Sequence, residues 1–376
     1  MDAHKPILIR PLHFGMARMH HEAGERRDFL PDFVGRLSQF GAHLVLEEGY
    51  GSGMGYSQQD YLASGSSIRF GTAQEVFEQE YVLVLRCPPD RQIRLIRPGV
   101  CLISMLHFPT RPQRVELLHS LELEAISLDL IKDDTGRRLV ENLRAVAWNG
   151  IEAAFDLLAQ LYPLPGFESP ARPPIRVTLL GAGAVGIQVV QAATRYGNIV
   201  LHRRLAEKGV PGVQVTALEY DCTQHDKVMR PILESTDILV DATQRPDPGQ
   251  PVIPNQWVGW LPKHAVLLDL SVDPYECTAD IPFVKGIEGI PQGNLDQYIF
   301  SPDDPAYQMM PACIDATHRR HAVSCYSWPG IYPNACMEVY GKQIIPILRT
   351  ILERGGVQNI RPNGRYFERA ITRARL

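Results

Sequence analysis

The stretch VTLLGAGAVG, residues 177–186, decides how the chain is read. An apolar run ends in three glycines, Gly181, Gly183 and Gly186, at the spacing G-x-G-x-x-G, and a helix-forming segment follows. In the order strand, turn, helix, each glycine has a task. Gly181 makes the tight turn, Gly183 lets the backbone approach a pyrophosphate, and Gly186 lets the helix pack closely on the strand. The helix N-terminus, entered through Ala184 and Val185, then points its unpaired N–H groups at the anion. The stretch predicts a dinucleotide cradle.

Outward from it, strand and helix signals alternate. IRVTLL (175–180) is followed by a helix from Gly183 to Tyr196 and a short one from Leu201 to Lys208. Then come VQVTAL (213–218), a helix from Asp226 to Ser235, DILVDAT (237–243) and AVLLDLSVD (265–273). Apolar strand runs separated by helices imply a parallel sheet covered on both faces. An acidic residue is expected to end the second strand, and Glu219 does so. It stands 33 residues beyond Gly186 rather than about twenty, and the inserted helix accounts for the excess. A carboxylate there accepts hydrogen bonds from both ribose hydroxyls and repels a 2′-phosphate, so NAD is expected as cofactor in preference to NADP.

Upstream, PLPGFESPARPP (163–174) carries five prolines and a glycine, which excludes helix interior and central strand. It reads as a linker. Before it, Leu139, Leu143, Val146, Ala147, Ile151, Ala154, Leu158 and Leu161 recur at helical spacing, predicting a long helix over 137–161 that bridges two domains. A length of 376 residues fits two such domains.

Apolar residues make up 45% of the chain, charged residues 21%, and the net charge is −4. That balance offers no general attraction for nucleic acid or an anionic membrane. No run approaches the roughly eighteen apolar residues of a membrane span. Seven scattered cysteines without a C-x-x-C pair, and a start without a long apolar stretch, predict a reducing, cytoplasmic setting. Cys313, His318, His321 and Cys325 match no compact zinc pattern, so no metal is expected.

The first 150 residues contain ERRDFLP (25–31), GAHLVLEEGYGSGMGYSQQDY (41–61), VLRCPP (84–89) and ISMLHFP (103–109). These segments resemble the alanine dehydrogenase family, which also includes saccharopine dehydrogenases and the NAD-binding subunit of proton-translocating transhydrogenase. The resemblance puts Arg26, five residues before Pro31, at the substrate carboxylate, with Arg27 the alternative if the register shifts by one. Arg86 takes the position of the family's lysine, Leu106-His107 is its L-H pair, and Asp273 its catalytic aspartate. Asp129, ending AISLD, is counted with the substrate-side residues and either orients His107 or caps a turn. YSWPGIYP (326–333) stands where the family returns to its first domain, ahead of a final helix over about 334–354.

The resemblance implies an α/β fold of two Rossmann-like domains with a cleft between them, the second a dinucleotide-binding doubly wound parallel sheet. Residues 1–150 plus 312–376 are expected to form the catalytic domain and 151–311 the NAD-binding domain. The expected activity is that of an NAD-dependent oxidoreductase acting on the CH–N bond of an amino acid or secondary amine, with an amino or keto acid as substrate. His107 is the general acid and base, since imidazole titrates near neutrality. Arginine cannot exchange protons as lysine can, so Arg86 is expected to clamp a carboxylate or stabilise oxygen charge. That substitution favours a bulkier or dicarboxylic substrate, as in saccharopine-type or opine-type enzymes. A non-catalytic NAD-binding regulator or partner subunit of the same fold stays open, as does a homo-oligomer; a transhydrogenase subunit would need a membrane partner.

Overall fold

The computed structural model describes residues 10–19, 22–245, 247–272, 275, 277 and 283–376. The chain forms two compact units, Met1–Asn142 with Tyr332–Leu376, and Leu143–Ile331.

In the first unit, β1 (Leu12–Met16), β2 (Ala42–Glu47), β3 (Ile68–Gly71), β4 (Tyr81–Arg86), β5 (Cys101–Met105) and β6 (Glu124–Ser127) form one sheet in the order β3-β2-β1-β4-β5-β6. Every pairing is parallel. Strands such as YVLVLR are apolar up to their last residue, Arg86, as expected of a parallel sheet covered on both faces. The strand order reverses direction at β1 and β4, which makes their carboxyl ends a topological switch point. The helix Pro333–Arg354 returns to this unit and runs through Pro346, because Ile344, Ile347, Leu348 and Ile351 are all buried in its core. Packing there outweighs the lost hydrogen bond.

In the second unit, β7 (Ile175–Leu180), β8 (Val213–Leu218), β9 (Ile238–Asp241), β10 (Val266–Asp269), β11 (Ile299–Phe300) and β12 (His321–Ser324) are ordered β11-β12-β10-β9-β7-β8. All pair in parallel except β11. The helices Ala184–Ala193, Ile199–Glu207 and Asp226–Leu233 fall where the alternating pattern predicts them. Here the switch point lies between β7 and β9.

The long helix runs from Leu143 to Leu161 and belongs wholly to the second unit. It does not begin at 137, because Asp133, Thr135 and Gly136 (φ +85°) make a turn that brings Arg138 back against Lys132. The proline-rich stretch is no linker between units. Its Phe167 and Arg172 are buried, and Arg172 donates to the Phe167 carbonyl and the Tyr196 hydroxyl. The chain crosses between units at 142 and 332, not at 150 and 312, since β12 first completes the second sheet beside β10. Cys277 and Cys313 form a disulfide across 36 residues, a pairing that the absence of C-x-x-C spacing gave no sign of and that stands against the reducing setting expected from the cysteines. Among the described residues no helix is long and apolar enough to cross a membrane.

Candidate functional site

At the carboxyl ends of β7 and β9 the three glycines divide their tasks. Gly181 has φ +85°, and a Cβ there would meet the Ala242 carbonyl oxygen at 2.9 Å. A Cβ on Gly186 would meet the Gly181 carbonyl oxygen at 2.2 Å. The fold itself demands both. Around Gly183 no atom lies within 4 Å of a Cβ, so nothing inside the protein requires glycine there. Gly183 caps the N-terminus of the helix Ala184–Ala193, and an open backbone at that place fits the close approach of a pyrophosphate.

Glu219 follows β8 directly, and its Oε1 accepts the N–H of Ala182 over 2.7 Å. The predicted acidic residue and the glycine turn are therefore in contact despite the long separation. Together with Thr243, Gln250 and Trp257 they line a cavity of about 580 Å³.

In the first unit, Arg86 ends β4 and its Nη2 lies 2.5 Å from Oε1 of Glu22, in the segment after β1. Both are half-buried. The two neighbouring arginines separate. Arg27 is buried, with Nε 2.8 Å and Nη2 2.5 Å from the two oxygens of Glu25. Burial would raise the Glu25 carboxyl, but the Arg27 contacts hold it below its ordinary value. Arg26 is exposed. The GYGSG loop pins this segment: Asp28 accepts from Gly51 N–H at 2.8 Å, Phe29 N–H donates to the Tyr50 hydroxyl, and the Tyr61 hydroxyl donates to the Phe29 carbonyl. Burial pushes the Asp28 carboxyl up to about 7.

His107 follows β5 in a left-handed conformation (φ +53°), uncommon outside glycine. Asp129 holds it there, accepting the His107 N–H on Oδ1 at 3.1 Å and facing the ring Nδ1 with Oδ2 at 3.4 Å. Ser127 Oγ donates to Asp129 at 2.7 Å. Burial would raise the Asp129 carboxyl, but the hydrogen bond and charge of His107 and the Ser127 hydroxyl together hold it well below the carboxylate range. Asp129 is only 3% exposed; its oxygens are engaged with His107 and Ser127 rather than presented outward. Arg86, His107 and Asp129 thus sit at the ends of adjacent strands β4, β5 and β6. Asp273 lies outside the described residues.

Sequence reasoning missed Glu22, Lys285, Asp269 and Asp241. Glu22 meets Arg86 across 64 residues, for which no local signal exists. Asp241 and Asp269 each end an apolar strand run, a usable signal. Lys285 is fully buried and lies 2.6 Å from Asp269.

Two α/β units, each with polar groups gathered at the carboxyl ends of a parallel sheet, define a two-domain Rossmann-like protein. Residues 19–147 match the family model described as alanine dehydrogenase/PNT, N-terminal domain. The chain is 22% identical over 190 residues to the NAD(P) transhydrogenase subunit alpha of Haemophilus influenzae, a match covering 50% of this chain and 37% of that protein. It is 20% identical over 353 residues to the alanine dehydrogenase of Bacillus subtilis, covering 89% and 84% respectively. A solved L-alanine dehydrogenase superposes with a TM-score of 0.71 at 17% identity, covering 96% of this chain and 94% of that one. The chain spans less than half the length of the transhydrogenase subunits it matches. Residues 19–147 are thus similar to the N-terminal domain of the alanine dehydrogenase/PNT family, and the chain as a whole shares the fold of L-alanine dehydrogenase.

Proposed function

We propose that the protein is an NAD-dependent oxidoreductase acting on the CH–N bond of an amino acid or of a secondary amine formed from one. The observation that carries this reading is the His107–Asp129 pair standing one strand away from Arg86. An imidazole whose Nδ1 faces a buried carboxylate keeps Nε2 available to take and return a proton. Arg26, exposed, offers a guanidinium fork to the substrate carboxylate. Arg86 and Glu22, side by side, present a cation and an anion, a match for a group bearing both carboxylate and ammonium charge. Gly183 and Glu219 would hold NAD, which when bound accepts the hydride. His107 takes the proton released as the C=N bond forms and gives it back as water adds and the amine departs. In this reading His107 or Asp273 guides that water.

An arginine in place of the family's lysine favours a substrate with a second carboxylate, as in opine-type or saccharopine-type reactions. A scan of amino acids with NAD, and of keto acids with NADH and ammonia or an amino acid, tests the proposal by absorbance of NADH. Turnover on at least one pair is expected. A flat response to all of them with NAD still bound favours a non-catalytic NAD-binding protein.

A further inference from the structure

At the carboxyl ends of β9, β10 and β12, Asp241, Asp269 and Ser324 stand side by side in register. All three are buried, as is Lys285. Lys285 Nζ donates to Asp269 Oδ2 over 2.6 Å and Ser324 Oγ donates to the same oxygen over 2.9 Å. The other oxygen accepts the N–H of Val272 at 3.0 Å and the hydroxyl of Ser271 at 3.1 Å. Val272 has φ +60°, where a β-branched side chain crowds its own backbone. Such a conformation persists only where its surroundings over-determine it, and it concentrates at functional sites.

The surroundings here are specific. Burial would raise the Asp269 carboxyl, and the Lys285 charge holds it below its ordinary value, so a full acceptor stays available to the turn. The Tyr275 ring lies 5.7 Å from Lys285 Nζ. A Cβ on Gly286 would meet Asp241 at 2.1 Å, so glycine next to Lys285 is what lets this segment reach the row of aspartates. Ser271 Oγ also lies 3.0 Å from Asp241 Oδ2.

We propose that Lys285 and Asp269 are a positioning pair that holds the Ser271–Val272 turn, the residues that precede Asp273 in the chain. The functional consequence rests on the reading of Asp273 as a group acting on substrate; the hold on the turn does not. Both residues of the pair are buried, so they are assigned to positioning and not to contact with substrate.

Hydrogen exchange of the full chain, read by mass spectrometry, tests the hold directly. In Lys285→Met, the amides of 270–272, resolved by overlapping peptides, are expected to exchange about tenfold faster or more, while β7 and β9 keep their protection. Val272→Gly removes the strain, so against that variant alone the added Lys285→Met changes exchange by less than about threefold. Asp269→Ala with Lys285→Met, an apolar pair that leaves no buried charge, covers poor folding of the single variant and gives the same local acceleration. Unchanged exchange at 270–272 in the folded variants, or an equal effect in the Val272→Gly background, overturns the proposal. On a substrate that turns over, Lys285→Met lowers kcat about tenfold or more and leaves KM and NAD affinity within about threefold. If Asp273→Asn has normal kcat while exchange behaves as stated, the role of Asp273 falls and the positioning of the turn stands.

Discussion

Cofactor choice is the property most directly tied to one side chain. Glu219 is exposed, yet its Oε1 is fixed 2.7 Å from the Ala182 N–H in the glycine turn. A ribose 2′-phosphate bound over that turn would face this carboxylate; an approach to about 5 Å serves to set the scale. At that distance like charges repel by about 0.8 kcal/mol in bulk water and about 3 kcal/mol at an effective dielectric of about 20. Exposure places Glu219 toward the lower end, so NAD is expected to bind about tenfold more tightly than NADP. Glu219→Gln keeps an acceptor for Ala182 and removes the charge. It should raise NADP affinity about tenfold, with a change of less than about threefold for NAD. Because Trp257 lines the same cavity as Glu219, quenching of tryptophan fluorescence reports the titrations. Raising the salt should shrink the preference in the unaltered protein, as screening requires. Equal affinities for the two cofactors, or an unchanged preference in Glu219→Gln, would refute the reasoning.

His107→Ala should lower kcat by about a hundredfold or more with NAD affinity preserved; steady-state kinetics with normal turnover would remove His107 from the mechanism. Arg86→Lys keeps the charge but loses the fork facing Glu22, so KM should rise more than kcat falls; the reverse split would assign Arg86 to the chemical step. The Asp129 carboxyl is held below its ordinary value in the fold, so the unfolded chain binds the proton first as pH falls. Its stabilising contribution is therefore present above about pH 4 and drains away as pH drops through the folded value. Asp129→Asn should cost about 1–3 kcal/mol in urea unfolding at pH 7 and progressively less toward pH 3; a constant difference across that range would contradict the assignment.

The second sheet was legible because its signals are local. Each apolar run from IRVTLL to AVLLDL became a strand, and the inserted helix Ile199–Glu207 accounts for the long gap to Glu219. The boundaries were not legible, because proline content reports backbone conformation and not whether a segment is packed. PLPGFESPARPP avoids helix and strand as its composition demands, but Phe167 and Arg172 bury it against Tyr196. The choice between Arg26 and Arg27 was beyond the sequence for a related reason. Both lie in one charged cluster, and Glu25 folding back on Arg27, with Cys336 beside it, distinguishes the buried guanidinium from the exposed one. Lys285 was invisible because its partner Asp269 comes from another element, and the disulfide because its two cysteines share no motif.

The two switch points explain why one half of the molecule reads more plainly than the other. Beyond β7 the chain exposes backbone, and glycine is the residue that does so; a phosphate is the same in every dinucleotide, so the recognition element keeps one pattern. Beyond β1 the chain runs instead through Arg18, Glu22, Glu25, Arg26 and Arg27, and in the proposed reading side chains do the recognising. Their pairing is set by the neighbouring strands: Glu22 by Arg86 at the end of β4, and His107 after β5 by Asp129 after β6. A site built from side chains can change its ligand by exchanging one residue while the sheet beneath stays the same. Arg86, beside Glu22 at the switch point of the first sheet, is the residue at which such an exchange would act.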